Sequence, residues 1–408
     1  MRRRSGLAAL LAVTGPGLLA GLSDDDPAGI TTYSILGADY GYRLLWVLGL
    51  STAALVLFHE LGARMGVVTG QGIAGLIRER YGVRWAAPAL LALVAANLGT
   101  SCAEFAGVAA SLELAGVSRY VSVPLAAALV STLVLKGGFH RVEHVLLVLA
   151  TAFAAYIAAG LLAGPDWPAA ARGFVVPSMP LERDAILTVT AVVGTTLAPW
   201  GLAFIQSYAA DKRLTPADLR YERIDVVTGA LMTGVIGGSV VVACAATLHA
   251  AGRSISDARD AAVALEPLAG QLAGALFGAG LLGAALLAAS VLPLSTAYSV
   301  SEALGREGAL DDPVAEARVF YCTYGVVVCV AALIVLVPGV PLIPILFLTQ
   351  ALNAVLLLPL LIFIARLSRD AELMGEHRSS RAGAAAQAVT IGVLAVCVGA
   401  LAVLSLLP

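Results

Sequence analysis

Charge is what this 408-residue chain has least of. Asp, Glu, Lys and Arg make up 13% of it, against 59% hydrophobic residues and a mean hydropathy of +0.90. A soluble domain needs a charged surface, and there is too little charge here to make one. The 25 basic and 27 acidic side chains nearly cancel, and no basic stripe gathers them into a nucleic-acid interface. Cysteine is scarce as well. Cys102, Cys244, Cys322, Cys329 and Cys397 stand singly in apolar runs with no CxxC pair, which reads as buried free thiols acting as small hydrophobes. No Ser-His-Asp set, HExxH or P-loop is present, so the sequence offers no recognised enzyme chemistry and calls for no cofactor.

What the chain has in abundance is long apolar runs. In lipid, backbone groups must pair internally, so spans are helices or a closed barrel. The runs are continuous rather than alternating, which excludes the barrel. With about 20 residues per crossing, eleven spans are expected, at roughly 7–38, 43–67, 85–115, 121–137, 143–164, 185–209, 226–250, 268–303, 318–338, 341–366 and 385–407. Short connections make this one transmembrane domain over 1–408, an all-α polytopic protein whose partner is the bilayer, with no obligatory protein partner evident. Polar stretches at 165–184, 209–225, 251–267, 304–317 and 367–384 are expected as loops. The apolar run after Met1-Arg2-Arg3-Arg4 leads to an Asp-Pro break and not to a cleavage site, so it reads as a retained first span. Counting Lys and Arg by side with the N-terminus inside puts nineteen in and six out. That bias predicts a cell-membrane protein with a cytoplasmic N-terminus and an external C-terminus.

Two spans carry helix breakers at mid-depth. Span 1 contains Gly21-Leu22-Ser23-Asp24-Asp25-Asp26-Pro27-Ala28-Gly29, and span 6 contains Gly194-Thr195-Thr196-Leu197-Ala198-Pro199-Trp200-Gly201. They stand five spans apart, at matching places in two halves of opposite topology, about 7–164 and 185–366, with 385–407 added. Paired interruptions of this kind point to a substrate site. Proline removes a donor and frees nearby carbonyls. Asp26 adds a negative charge, costly in the bilayer unless compensated, and a cation is its natural partner. The bland alternative is a proline kink with Asp26 solvated near a helix end. Thr31-Thr32 and Thr195-Thr196 add hydroxyls that either ligate or pack helices together. Oxygen donors without Cys, His or Met favour hard ions such as Mg²⁺, Ca²⁺ or Mn²⁺.

These residues resemble a known family. Asp26-Pro27-Ala28-Gly29, the segment from Gly41-Tyr42-Arg43 through Leu48, Ala63-Arg64-Met65-Gly66-Val67-Val68-Thr69-Gly70, Phe174-Val175-Val176-Pro177-Ser178 and the span 6 break are similar to the Nramp divalent-metal transporters. The resemblance covers nearly the whole chain and implies a LeuT-type fold of five plus five inverted spans with an eleventh added. Two departures matter. Where the family reads Asp-Pro-Gly-Asn, Gly29 replaces Asn. Where it reads Met-Pro-His, the sequence has Ala198-Pro199-Trp200. Losing the thioether removes the soft ligand and leaves room for water, which suits Mg²⁺ with its retained hydration shell. In this the chain looks like the Nramp-related magnesium branch.

The resemblance implies Asp26 as a cation ligand and Gln350 on span 10 as a residue that reaches the ion or else bonds between helices. Ser23 and Gly29 at the first break, with Thr195 and Ala198 at the second, are expected to complete the site. Asp25, Glu104 and Trp200 are candidates for gating or for a proton route. An acid-and-histidine relay is expected to be thin. Ser101 stands where an Asp is usual, Trp200 and Ile205 stand where His is usual, and His59, His140, His144, His249 and His377 mostly fall at span ends. Transport of Mg²⁺ or Mn²⁺ without obligatory proton coupling is therefore expected. A proton-coupled Mn²⁺/Fe²⁺ importer and an amino-acid transporter of the same fold are the alternatives. Asp24 or Asp25 is expected to hold outer-shell water or to pair with an Arg, and Asn353 to bond between helices.

Overall fold

The computed structural model describes residues 16–137, 154–255, 260–261, 273–306, 310 and 312–406. No strand occurs among them, and nine helices are long and apolar enough to cross a membrane. Span 1 is two helices, α1 (Pro16–Ser23) and α2 (Pro27–Tyr40). There follow α3 (Leu45–Thr69), the short α4 (Ile73–Tyr81), α5 (Val83–Leu114), α6 (Arg119–Gly137), α7 (Ala154–Leu162) and α8 (Trp167–Val175). Span 6 is again two helices, α9 (Arg183–Thr196) and α10 (Pro199–Asp211). The chain continues through α11 (Leu219–Cys244), α12 (Ala273–Ala303), α13 (Arg318–Val335), α14 (Leu342–Leu367), the one-turn α15 (Ala371–Met374) and α16 (Arg381–Leu406). Expected spans and observed helices agree to within a few residues where both are described. Residues 1–15 and 138–153, which hold His140, His144 and the first half of span 5, lie outside the described residues.

Three expectations need correction. The stretch 165–184, expected as a loop, contains α8. Asp166 caps it by accepting from the Ala169 amide at 3.0 Å, and Pro168 suits its first turn. Its length is too short for a bilayer ruler to register. The same holds for α4 between spans 2 and 3. Finally, the cysteines are free but not all buried. Cys102 and Cys244 are interior, whereas Cys322 and Cys329 are exposed on α13. An outward face in a membrane meets hydrocarbon, so an apolar residue has no reason to turn inward.

The interior is built from close backbone contacts. A side chain on Gly17 or Gly21 of α1 would run into the backbone of Val226 or Gly229 on α11, and one on Gly229 would run into Gly17. Small residues facing each other let two helices touch without a hydrophobic driving force. Polar bonds then fix the pair. Asp225 Oδ2 accepts from the Gly17 amide at 2.7 Å, and Thr233 Oγ1 donates to the Gly21 carbonyl. At the far end of α2, Gly41 turns with φ 57°, and His249 Nδ1 donates to the Ala38 carbonyl at 2.8 Å. This His249 sits in a π-turn, Ala245–His249, that extends α11. On the other side α5 lies along α12 and α14, and Gly107 of α5 meets the Pro27 ring directly. α16 is peripheral, touching α9 and α14 and facing outward over most of its surface.

The glycine contact makes a direct test. Gly229→Ala puts a methyl group into the Gly17 backbone, and overpacking costs about 1–3 kcal/mol. Gly325→Ala adds the same methyl to α13, where no other atom lies within 4 Å, and should hold or gain up to about 1 kcal/mol through helix propensity. Thermal melts in detergent should show Gly229→Ala falling well below wild type and Gly325→Ala not. Equal melting of both variants would contradict this packing.

Candidate cation site

Both interrupted spans stop and restart in the same way. Pro27 and Pro199 open α2 and α10 at positions where the missing amide costs nothing. Asp26, with extended backbone at φ −68° and ψ 171°, caps α2 by accepting from the Gly29 amide. Ala198 holds the matching extended position before α10, without a side-chain cap. The C-terminal ends of α1 and α9, with their negative partial charge, therefore stop at the two places where the chain carries oxygen-bearing side chains.

The first break is deeply buried. Asp24, Asp25 and Asp26 are each no more than 3% exposed. Glu104, fully buried, is brought toward the first break by α5, whose Gly107 meets the Pro27 ring. Thr195, Asp26 and Asp24 converge on the bare face of Gly29. A Cβ there would sit 2.8 Å from the Asp24 carbonyl oxygen, 3.1 Å from Thr195 Oγ1 and 3.2 Å from Asp26 Oδ1. Ser23 Oγ, both carboxylate oxygens of Asp24 and Asp25, both of Glu104, Ser101 Oγ, Thr195 Oγ1, Trp200 Nε1 and Gln350 Nε2 are all buried without a hydrogen-bond partner. Orphaned buried polar atoms cost about 1–3 kcal/mol each and are few in native structures, and the breaks hold a group of them, although others lie elsewhere in the core, on Asn97, Gln206 and Glu222 for example.

Some expected oxygens are spoken for. Thr32 Oγ1 bonds back to the Ala28 carbonyl at 2.7 Å. Thr196 Oγ1 donates to the Val192 carbonyl at 2.8 Å and meets the Tyr33 hydroxyl at 3.0 Å. Thr32 is spent within its own helix, and Thr196 ties the two broken spans together. Thr195 alone of the second pair keeps its oxygen free. Ala198 is buried and contributes backbone only, its carbonyl accepting from the Gly201 amide at 3.2 Å. Trp200 is fully buried, packs edgewise near Phe204, and has its carbonyl held by Ser295 Oγ at 2.8 Å. Gln350 reaches this region through its backbone, which Gly194 touches directly. Its side-chain oxygen accepts from Asn353 Nδ2 at 3.0 Å, and Asn353 also donates to Thr100 Oγ1 at 2.9 Å. The expected interhelix role of Asn353 is therefore seen. Asp25, Glu104 and Asp26 come together, while no direct contact joins Gln350 to them.

One expectation about the histidines fails, and of the alternatives expected for Asp24 the arginine pair is not seen among the described residues. His59 Nε2 lies 3.8 Å from Asp24 Oδ2, and both side chains are fully enclosed. His59 is not at a span end but deep in α3, beside Gly201, where a Cβ would lie 3.2 Å from its Nε2. The signal was available, since His59 falls well inside a 25-residue apolar helix, where an ionisable residue is a functional candidate by default. Among the described residues no group of three or more His, Cys, Asp or Glu side chains is arranged to hold a metal ion by itself. Any cation must therefore draw on hydroxyl, amide and backbone oxygens, or on water.

Comparison with known proteins decides the family. The Nramp model, described as natural resistance-associated macrophage protein-like, matches residues 17–404. The chain is a member of the Nramp family. The divalent metal cation transporter MntH of Burkholderia ambifaria is 33% identical over 291 residues, covering 69% of this chain and 66% of that protein. Over that stretch this Nramp chain spans just under two thirds of the relative's length. The MntH of Granulibacter bethesdensis is 26% identical over 401 residues, covering 94% of this chain and 87% of its own. In solved structures, the Eremococcus coleocola manganese transporter superposes with a TM-score of 0.78 at 19% identity, over 97% of this chain and 87% of that one. MhsT in complex with L-phenylalanine superposes at 0.60 with 16% identity, over 98% of both chains. The fold is thus shared with a protein that holds an amino acid, and the fold alone does not name the substrate.

Gly29 offers a test of this geometry. Gly29→Ala places a methyl group against the Asp24 carbonyl and the Thr195 hydroxyl without changing charge. An overpacking cost of about 1–3 kcal/mol at the site corresponds to roughly tenfold weaker cation binding. Isothermal titration of Mn²⁺ into the purified, correctly folded variant should show that loss. Undiminished Mn²⁺ affinity would mean that the ion does not use this face.

Proposed function

We propose that this Nramp-family protein carries divalent cations across the membrane, with Mg²⁺ and Mn²⁺ as substrates, between the two helix breaks. The observation that carries the reading is the convergence of Asp26, Asp24 and Thr195 oxygens on the bare face of Gly29, with Ala198 and no sulfur at the second break. The substrate ion would take the Asp26 carboxylate, Ser23, backbone near Gly29 and Ala198, Thr195 and, after some movement of α14, Gln350. Such a donor set is hard and leaves room for retained water, which favours Mg²⁺ over softer ions. The family membership and the relatives' description as divalent metal cation transporters support the class of substrate. Against an amino acid stands the charge of the first break, where consecutive carboxylates would repel a substrate carboxylate. The positive-inside count supports a cytoplasmic N-terminus and an external C-terminus.

Asp26→Asn keeps the shape of the cap and removes the charge that faces the ion. An electrostatic contact in a partly dry site exceeds the ~1.4 kcal/mol that a tenfold change requires, so Mg²⁺ and Mn²⁺ uptake into proteoliposomes should fall more than tenfold. Full uptake by a well-folded Asp26→Asn protein removes Asp26 from the site.

Selectivity is tested by returning the thioether. Ala198→Met should strengthen Cd²⁺ binding and impair Mg²⁺ passage, because sulfur is soft and occupies the space of a water. A wild-type protein that excludes Mg²⁺ and carries Cd²⁺ well would replace the magnesium reading with that of a soft-metal transporter.

We further propose that transport is not obligatorily coupled to protons, because Ser101, Trp200 and Ile205 provide no titratable acceptor beyond the break. Liposomes loaded with a pH dye and given a metal gradient should show metal entry without acidification. Acidification that follows metal entry and disappears in Glu104→Gln or His59→Gln would overturn this, and those two residues are the ones that could carry such a proton.

A further inference from the structure

On the side of the molecule away from the breaks, α3, α7 and α11 leave a groove of about 620 Å³. Its floor and walls include Leu48, Gly49, Gly160, Val235 and Gly238, and α8 lies across one end with Phe174 over Gly49. A Cβ on Gly49 would come 2.8 Å from that ring. Leu161, Phe174, Val175, Leu231 and Val235 turn large apolar surfaces outward around it. The groove opens between helices that cross the bilayer, so hydrocarbon and not water is its surroundings. An apolar cavity does not hold water, and a void of this size forfeits packing contacts along its whole lining.

Its rim differs from its floor. Gly173 of α8 meets the Tyr42 backbone directly, so their chain neighbours Arg172 and Arg43 flank that contact, next to Ala171 and near Leu45 of the lining. Both arginines are exposed, and neither pairs with an acid among the described residues. Trp46 Nε1 donates to the Ser178 carbonyl at 3.2 Å, tying the start of α3 to the segment after α8. Trp167 is half exposed at the other end of α8. Aromatic and basic residues in a short helix above an apolar groove are the marks of the membrane interface.

The geometry points to a bound anionic phospholipid, one acyl chain lying in the groove between α3 and α11 and its phosphate held by Arg43 and Arg172. The chain alone would gain little over free bilayer, since lipid tails are as apolar as the groove. The headgroup supplies the preference, through charge-assisted bonds from two guanidiniums near the surface. An occupied groove also braces α11, the helix that carries α1 through Gly229 and Thr233.

The test is native mass spectrometry of the full-length protein exchanged from detergent into bilayer nanodiscs containing phosphatidylglycerol and phosphatidylcholine, followed by release. Wild type should retain phosphatidylglycerol at about one per chain. Gly238→Phe fills the groove at a position where a Cβ meets only Leu48, at 3.8 Å, and should lower that retention about tenfold. Arg43→Gln combined with Arg172→Gln leaves the groove intact and should lower phosphatidylglycerol retention by a similar factor, and it keeps the test decisive should Gly238→Phe fail to fold. Retention unchanged in the arginine variant overturns the headgroup assignment. Retention of both lipids alike in wild type, or a chain dimer that Gly238→Phe abolishes, overturns the proposal.

Discussion

A backbone group released from a helix inside the bilayer has nowhere to turn but the protein itself, and that constraint organises this structure. α1 and α9 stop in the middle of the membrane. Each stop frees carbonyls before it and amides after it, and the surrounding helices are placed to answer them. Thr233 answers Gly21, Asp26 caps α2, Tyr33 and Thr196 link the two broken spans, and Ser295 holds the carbonyl of Trp200. Glycines at 17, 21, 107, 194 and 229 bring those helices close enough to do so. The same arrangement that makes the breaks tolerable also collects oxygen atoms around them.

Not every group at the breaks is answered. Unpartnered buried polar atoms occur elsewhere in the core, on Ser51, Asn97, Gln206 and Glu222 among others, but Ser23, Asp24, Asp25, Glu104 and Thr195 bring theirs together near the breaks, with His59 beside them. A protein optimised only for stability would have replaced such groups with apolar ones of similar shape at little loss. Their persistence in one place is the structural counterpart of a site that a charged, exchangeable substrate completes.

Much of this was legible in the residues. Apolar runs of bilayer length located the long helices, and the paired Asp-Pro and Ala-Pro interruptions located the site, because proline and carboxylate are both too costly at mid-membrane to be incidental. What escaped was what hydropathy does not encode. α8 is too short and too amphipathic to register as a span. The role of Thr196 depends on Tyr33 lying across it from the other broken span, which no one-dimensional pattern specifies. The depth of His59 is legible from its place inside an apolar helix, but its approach to Asp24 exists only once α3 is packed against the first break. Gln350 is the converse case: chain position put it near the site, but the structure spends its side-chain oxygen on Asn353.

Three changes at the breaks act in concert on the proposed reading. Gly29 and Ala198 subtract side-chain volume and a soft donor, while Trp200 adds bulk just beyond, backed by Phe204 and the stacked Tyr208. Volume is thus removed where an ion and its water would sit and restored where the enclosing wall begins. Carboxylates are plentiful at the same place, with Asp24 and Asp25 standing next to Asp26. A cation that keeps part of its hydration shell needs space more than it needs close ligands, and it is held by charge acting through that shell instead of by direct bonds. Because Coulomb attraction falls only as the inverse of distance, neighbouring carboxylates that cannot all touch the ion still hold it.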